Sequence, residues 1–247
     1  MNHRFARSLT LFILAASLLV GCTAQQIQAT LETLSSGSGA LTNEEIGRGL
    51  KQALEFGISE GAERLSQQDG YYKSPYKIGL PPEAQKVADR LQNIPGFREV
   101  EEVILEKINR GAEDAAAKAK PIFVDAIKAM TFRDALDILM GNDDAATQYL
   151  NRVTYNNLYA EFNPVIVSSL DKFKARQYWG DAVNAYNKIP FVEQANPDLD
   201  DYVTRQALKG LFTMVEKKEK EIRTNVSART TDLLKRVFAR QDNKSGN

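Results

Sequence analysis

The chain has 247 residues, with 32 basic and 32 acidic side chains, 43% hydrophobic residues, one histidine and one cysteine. So even a charge balance supplies no basic field for nucleic acid. The sole histidine, His3, and the sole cysteine, Cys22, both lie near the amino terminus. Beyond them a Ser-His-Asp triad, a Cys-His pair, a His- or Cys-ligated zinc and a disulfide framework each lack a necessary group.

Arg4 and Arg7 precede the apolar run Leu9 to Val20, which closes at Leu19-Val20-Gly21-Cys22. A positive segment, a short apolar segment and a small residue before the cleavage point form a lipoprotein signal peptide over residues 1–21. Its apolar run of about 12 residues is shorter than the roughly 20 of a membrane-spanning helix. Cleavage before Cys22 and acylation of its thiol are expected, which removes His3, consumes the thiol and leaves a slight negative charge. Carboxylate chemistry, a Ser-Lys or Tyr arrangement, an oxygen-ligated metal or no catalysis remains. Thr23 follows the cysteine where an aspartate would resemble the inner-membrane retention signal of enteric bacteria. Delivery to the outer membrane, facing the periplasm, is therefore favoured, with the leaflet open.

Residues 22–42 read as the lipidated cysteine and a tether, poor in charge and containing Ser35-Ser36-Gly37-Ser38-Gly39. A flexible chain of this length reaches roughly 25 Å. Ile27, Leu31 and Leu34 nevertheless stand at helical spacing, which would suit a short docking helix.

From Thr42 onward the periodicity is helical almost throughout. Thr42-Asn43-Glu44-Glu45 has the form of a capping box, and Ile46, Leu50, Leu54, Ile58 and Leu65 mark one side of a helix to about Ser66. Gly57 and Gly61, one turn apart, each cost about 1 kcal/mol of helix propensity against alanine. Either a neighbouring helix approaches closely there or the sequence tolerates them. Asp69-Gly70 and Ser74-Pro75 bracket an aromatic loop with Tyr71, Tyr72 and Tyr76. Leu80-Pro81-Pro82-Glu83 opens a helix that Asn93 to Gly96 closes. A longer one follows from about Arg98, with Val100, Val103, Ile104, Ile108 and an alanine-rich stretch to Ala119, and Pro121 restarts a short helix to Met130.

Thr131 caps the next helix, for which Gly141 supplies a left-handed end. Asn142-Asp143-Asp144 begins another, carrying Tyr149, Leu150 and Val153, and Asn163-Pro164 breaks it. Helical patterns resume through Ile166, Leu170 and Phe173, then around Trp179 and Val183. Asp198 to Asp201 cap a long helix with Val203, Leu211, Met214 and Ile222, and a last helix holds Leu233, Leu234, Val237 and Phe238. No segment alternates with period two, so the expectation is all-α, a single domain of roughly eight to ten helices over residues 43–240 with a disordered tail over 241–247. Two helical halves meeting near Asn163-Pro164 are the alternative.

Three stretches carry a family resemblance: Lys120 to Met130, Gly141 to Tyr149, and Tyr202 to Phe238 with Ala228-Arg229-Thr230-Thr231-Asp232-Leu233-Leu234-Lys235 near its end. Together they resemble a bacterial envelope family known as domain of unknown function 4197, over about Asn43 to Phe238. The resemblance implies an all-helical lipoprotein or exported protein of Gram-negative bacteria. It brings no activity and no catalytic residues.

Several constellations offer chemistry. Asn142, Asp143 and Asp144 could hold a hard cation, but a calcium loop wants alternating acids, a central glycine and a distal glutamate. Helix capping explains them better, and Asp198, Asp200 and Asp201 likewise. No metal site or cofactor is expected. Asp125 and Lys128 interrupt the apolar run Ile122 to Met130 on one helical face, suiting either a polar cleft or a surface ion pair. Arg229 is suited to a carboxylate or phosphate, with Asp232 nearby, while Thr230 or Thr231 caps the last helix. Tyr155, Tyr159 and Phe162 suit core packing. Tyr71, Tyr72 and Tyr76 are harder to place in a core and, with the Gly57 and Gly61 face, are the first contact surfaces to consider. The reading that results is a lipid-anchored periplasmic helical protein, non-enzymatic, held to the membrane through Cys22 and contacting an envelope protein. A carboxylate-dependent hydrolase of a cell-wall polymer and a carrier of an apolar ligand are the alternatives.

Overall fold

In helix α1, Asn43–Ser66, the apolar residues Ile46, Leu50, Leu54, Ile58 and Leu65 recur one or two turns apart, and all are buried. The computed structural model describes residues 42–244, apart from 83, 86–96, 173, 189, 192–193, 195 and 197. The expected signal peptide, Cys22 and the tether to residue 41 lie outside the described residues, as does most of the helix expected over 82–96.

After α1 come α2 (Phe97–Ala116), α3 (Ala119–Ala129), α4 (Phe132–Leu139), α5 (Ala145–Asp171), α6 (Ala175–Tyr186) and α7 (Leu199–Thr224). A 3-10 turn, Val226–Ala228, then leads to α8, Asp232–Lys244. The described residues contain no strand, and the fold is an all-α single domain. Its last helix reaches Lys244, so the tail expected from residue 241 is helical through that point.

Helix α7 lies between the two other long helices: it packs against α1 and against α5. Helix α1 also meets α2, α3, α4 and α8, while α5 meets α2, α3, α4 and α6. The core at their centre is built from Phe123, Leu150, Leu158, Phe162, Ile166, Leu208 and Leu211, all without solvent exposure. Each such side chain contributes about 1.5–3 kcal/mol by leaving water.

Four local expectations are corrected by this packing. Pro164 sits inside α5, which runs unbroken from Ala145 to Asp171. Proline removes one backbone donor, but Leu158, Phe162, Ile166 and Leu170 are buried on both sides of it, and that burial outweighs the lost bond. Thus no domain boundary falls at Asn163-Pro164. Gly141 follows α4 without a left-handed backbone. A Cβ there would meet the Asp137 carbonyl oxygen at 2.9 Å and the Ala145 Cβ at 2.8 Å, so close approach in a tight turn requires the glycine. At Gly57 and Gly61 the expected close approach of a neighbouring helix is present, since a Cβ would lie 3.3 Å from Ile222 and 3.0 Å from Met214 on α7; what is corrected is their reading as an outward contact surface. Both are buried, and that face is an internal helix contact.

The fourth concerns the acidic caps. Neither Asp144 nor Asp198 uses its side chain to cap the helix it precedes. Asp144 accepts from the Gln148 side chain at 2.7 Å, while Asp200 pairs with Arg176 and Asp201 with Arg205. By contrast, Thr131 and Asp134 form a complete capping box on α4.

Candidate functional site

Two charged side chains on α7 are buried almost completely: Glu219 and Arg223, one turn apart and joined at 2.8 Å. Glu219 accepts from the backbone N–H groups of Ala146 and Thr147, at 2.9 and 2.8 Å, and from the Thr147 hydroxyl at 2.8 Å. It therefore does from a distant helix what Asp144 was expected to do for α5. Arg223 donates to the carbonyls of Ile138 and Leu139 at the end of α4. A carboxylate at a helix N-terminus and a guanidinium at a helix C-terminus both complement the helix dipole. The Gly141 to Tyr149 stretch is thereby clamped onto α7. The sequence showed Arg223 only as one of several basic residues late in that helix.

Beside this clamp, side chains of α5 and α7 line an open groove of about 520 Å3. Its floor is the Tyr155 ring, stacked on Phe212 with centroids 6.4 Å apart, and Phe212 in turn meets Phe123 edge-on at 5.8 Å. Gln148, Asn151 and Arg152 line the α5 wall, and Arg205, Lys209, Thr213 and Glu216 the α7 wall. Arg205 is paired with Asp201 at 2.9 Å. Arg152 lies over the Tyr149 ring at 5.5 Å, and among the described residues neither it nor Lys209 has an ion-pair partner within 4.0 Å. Deeper along the same interface the Tyr159 hydroxyl donates to Asp201 at 2.6 Å. That hydrogen bond pushes the phenol up to about 12, while Arg205 first, and Tyr159 second, hold the Asp201 carboxyl below its usual range. An apolar carrier wants an enclosed apolar cavity, and this groove is open and rimmed with charge.

The tyrosine loop proves to be a structural lock. Tyr71 has no solvent exposure, and its hydroxyl donates to the Ala207 carbonyl at 2.7 Å. Burial drives the phenol far above its usual value. The buried Glu113 carboxylate accepts from the N–H groups of Tyr71 and Tyr72, at 3.0 and 3.1 Å, and from Arg110 at 2.6 Å. Tyr72 is half-buried, donates to Glu102 at 2.8 Å and carries Lys77 and Arg110 over its ring. Tyr76, also half-buried, reaches the Met214 sulfur at 3.6 Å. The loop therefore joins the core, because its backbone donors find a buried carboxylate that the sequence pattern does not reveal.

The other sequence candidates are spread apart. Asp125 and Lys128 are both exposed on α3, and no ion pair links them among the described residues. Neither lines the groove. Arg229 is 2% exposed and does bind a carboxylate with both terminal nitrogens, but the carboxylate is that of Asp242, at 2.6 and 2.9 Å. Its remaining donors hold the carbonyls of Ile222 and Arg223, so it fastens α8 to the end of α7. Asp232 is exposed and paired with Lys235 at 3.3 Å, and Thr231 caps α8 through Leu234 N–H. Ser74 and Lys77 have the Ser-x-x-Lys spacing of some nucleophilic sites. The Ser74 hydroxyl instead donates to the Tyr71 carbonyl and accepts from Tyr76 N–H.

No cluster of metal-ligating side chains occurs among the described residues, and none of their helices is long and apolar enough to cross a membrane. The fold and the groove define an all-helical domain clamped through one central helix. The chain belongs to the family described as Protein of unknown function (DUF4197), whose model matches residues 40–239. No curated protein and no solved structure matches it.

Proposed function

We propose that this protein is a lipid-anchored helical domain of the bacterial envelope, facing the periplasm from the outer membrane and acting without catalysis, by contact with an envelope protein. The anchor rests on the segment from Arg4 to Cys22. The observation that carries the contact role is the open groove between α5 and α7, floored by Tyr155 and walled by exposed polar and charged side chains. Half-exposed aromatic rings with a polar rim suit a protein contact.

Fractionation of wild-type and Cys22→Ala protein, with mass spectrometry of the mature N-terminus, tests the anchor. The wild type is expected in membranes with an acylated Cys22, and the variant in the soluble fraction. A native protein that begins at Met1 and stays soluble rejects the anchor. Photo-crosslinkers at Asn151 in the groove and at Lys128 on α3 test the contact role in living cells. A discrete adduct at position 151 alone supports it; adducts at neither position, or equally at both, reject it.

A further inference from the structure

We propose that α8 is a latch: it opens as a unit about the connection over residues 225–231, and the Arg229–Asp242 ion pair sets how often it does so. The centre of the core lies on α3, α5 and α7, whereas α8 packs chiefly against α1. Its residues Leu234, Val237 and Phe238 are buried, and α1 leaves a notch for it at Gly49. A Cβ at Gly49 would stand 2.6 Å from Val237 and 3.2 Å from Leu233. The polar ties alongside are long, 3.4 Å from the Thr231 hydroxyl to Gln52 and 4.0 Å between Arg236 and Glu45. Helix α1 keeps α2, α3, α4 and α7 when α8 leaves, so little else has to move.

The ion pair is arranged to break on one side. Arg229 is bound to α7 through the carbonyls of Ile222 and Arg223, at 3.1 and 2.8 Å, so it stays behind. From α8 it takes the face of the Phe238 ring, 5.4 Å away, and the Asp242 carboxylate. The carboxylates of the two other clamps, Glu219 and Glu113, are 5% and 4% exposed, but that of Asp242 is 44% exposed. Water and salt reach this pair and weaken it. A helix held by few buried contacts and one solvated ion pair belongs to the low-stability end of a structure. Opening bares the line Glu45, Gly49 and Gln52 on α1, which the exposed Phe56 already continues one turn further.

Native-state hydrogen exchange of the full chain, purified in detergent and read by mass spectrometry in low urea, tests the latch. Amides in both halves of α8 should exchange at one rate, well ahead of those at the centre of α5 and α7 and with less dependence on urea. Asp242→Asn should speed α8 exchange about fivefold and abolish the acceleration that salt brings to the wild type. Gly49→Ala should also speed it, by wedging Val237 away, and keep the response to salt. Thr131→Ala weakens the domain outside α8 and should leave α8 exchange unchanged, because α4 stays folded when the latch opens. Exchange of α8 at the rate and urea dependence of α7 overturns the proposal, as does a gradient running inward from Lys244, which is fraying. Wild-type α8 exchange in Asp242→Asn, or a Thr131→Ala variant that speeds α8 and α7 alike, overturns it too.

Discussion

Glu219 and Arg223, joined at 2.8 Å and almost wholly buried on α7, hold opposite ends of two other helices. The carboxylate takes the first amides of α5 and the guanidinium the last carbonyls of α4. The pair thus converts the α4–α5 turn into a fixed wall beside the groove.

Removing one partner leaves an uncompensated buried charge. Glu219→Leu or Arg223→Met should each lower unfolding free energy by about 3–5 kcal/mol, read from urea titration. The double variant should lose clearly less than the sum of the two. Additivity would show that the two side chains act independently.

Two glycines should respond oppositely to alanine. At Gly210 a Cβ would come 2.8 Å from Cε1 of the buried Tyr71 ring, and overpacking costs about 1–3 kcal/mol. At Gly180, inside α6, a Cβ would meet no neighbouring atom within 4 Å among the described residues outside its own turn of helix, so Gly180→Ala should stabilise by up to about 1 kcal/mol through helix propensity. Melting temperatures of the two variants should therefore move in opposite directions.

Acid should weaken the domain through its paired aspartates. The Arg229 guanidinium holds the Asp242 carboxyl below its ordinary value of 3.8, and Arg110 does the same for Asp69. A carboxyl depressed in the folded state stabilises above its unfolded value, and that contribution fades as pH falls through the lower folded one. The helical domain from Asn43 onward contains no histidine, so no imidazole of its own titrates near neutrality. The urea midpoint should hold steady from about pH 5 to 8 and fall below 3.8, with a shallower fall in Asp242→Asn. A step near pH 6.5 would contradict this account.

Thr131 accepts from Asp134 N–H, and Asp134 accepts from Thr131 N–H and hydroxyl. Thr131→Ala should cost about 1 kcal/mol in thermal unfolding. It should also return the Asp134 carboxyl toward its ordinary value, since Thr131 is the main cause of its depression. Carbon-detected NMR titration of that carboxyl separates the two effects.

The sequence by itself determined the all-helical class, the family, and two threonine caps, Thr131 on α4 and Thr231 on α8. Spacing of apolar residues at three and four positions placed α1 from Asn43 to Ser66, and Thr131 announced α4, because both signals are local. Tertiary structure alone decided which polar groups meet. Glu219 caps a helix 73 positions earlier in the chain, Glu113 draws Tyr71 inward across 42 positions, and Pro164 stays helical because buried neighbours hold it. A hydrogen-bond donor satisfied by a distant chain segment leaves no periodic trace, so the clamp, the buried loop and the groove became visible only once α7 lay between α1 and α5.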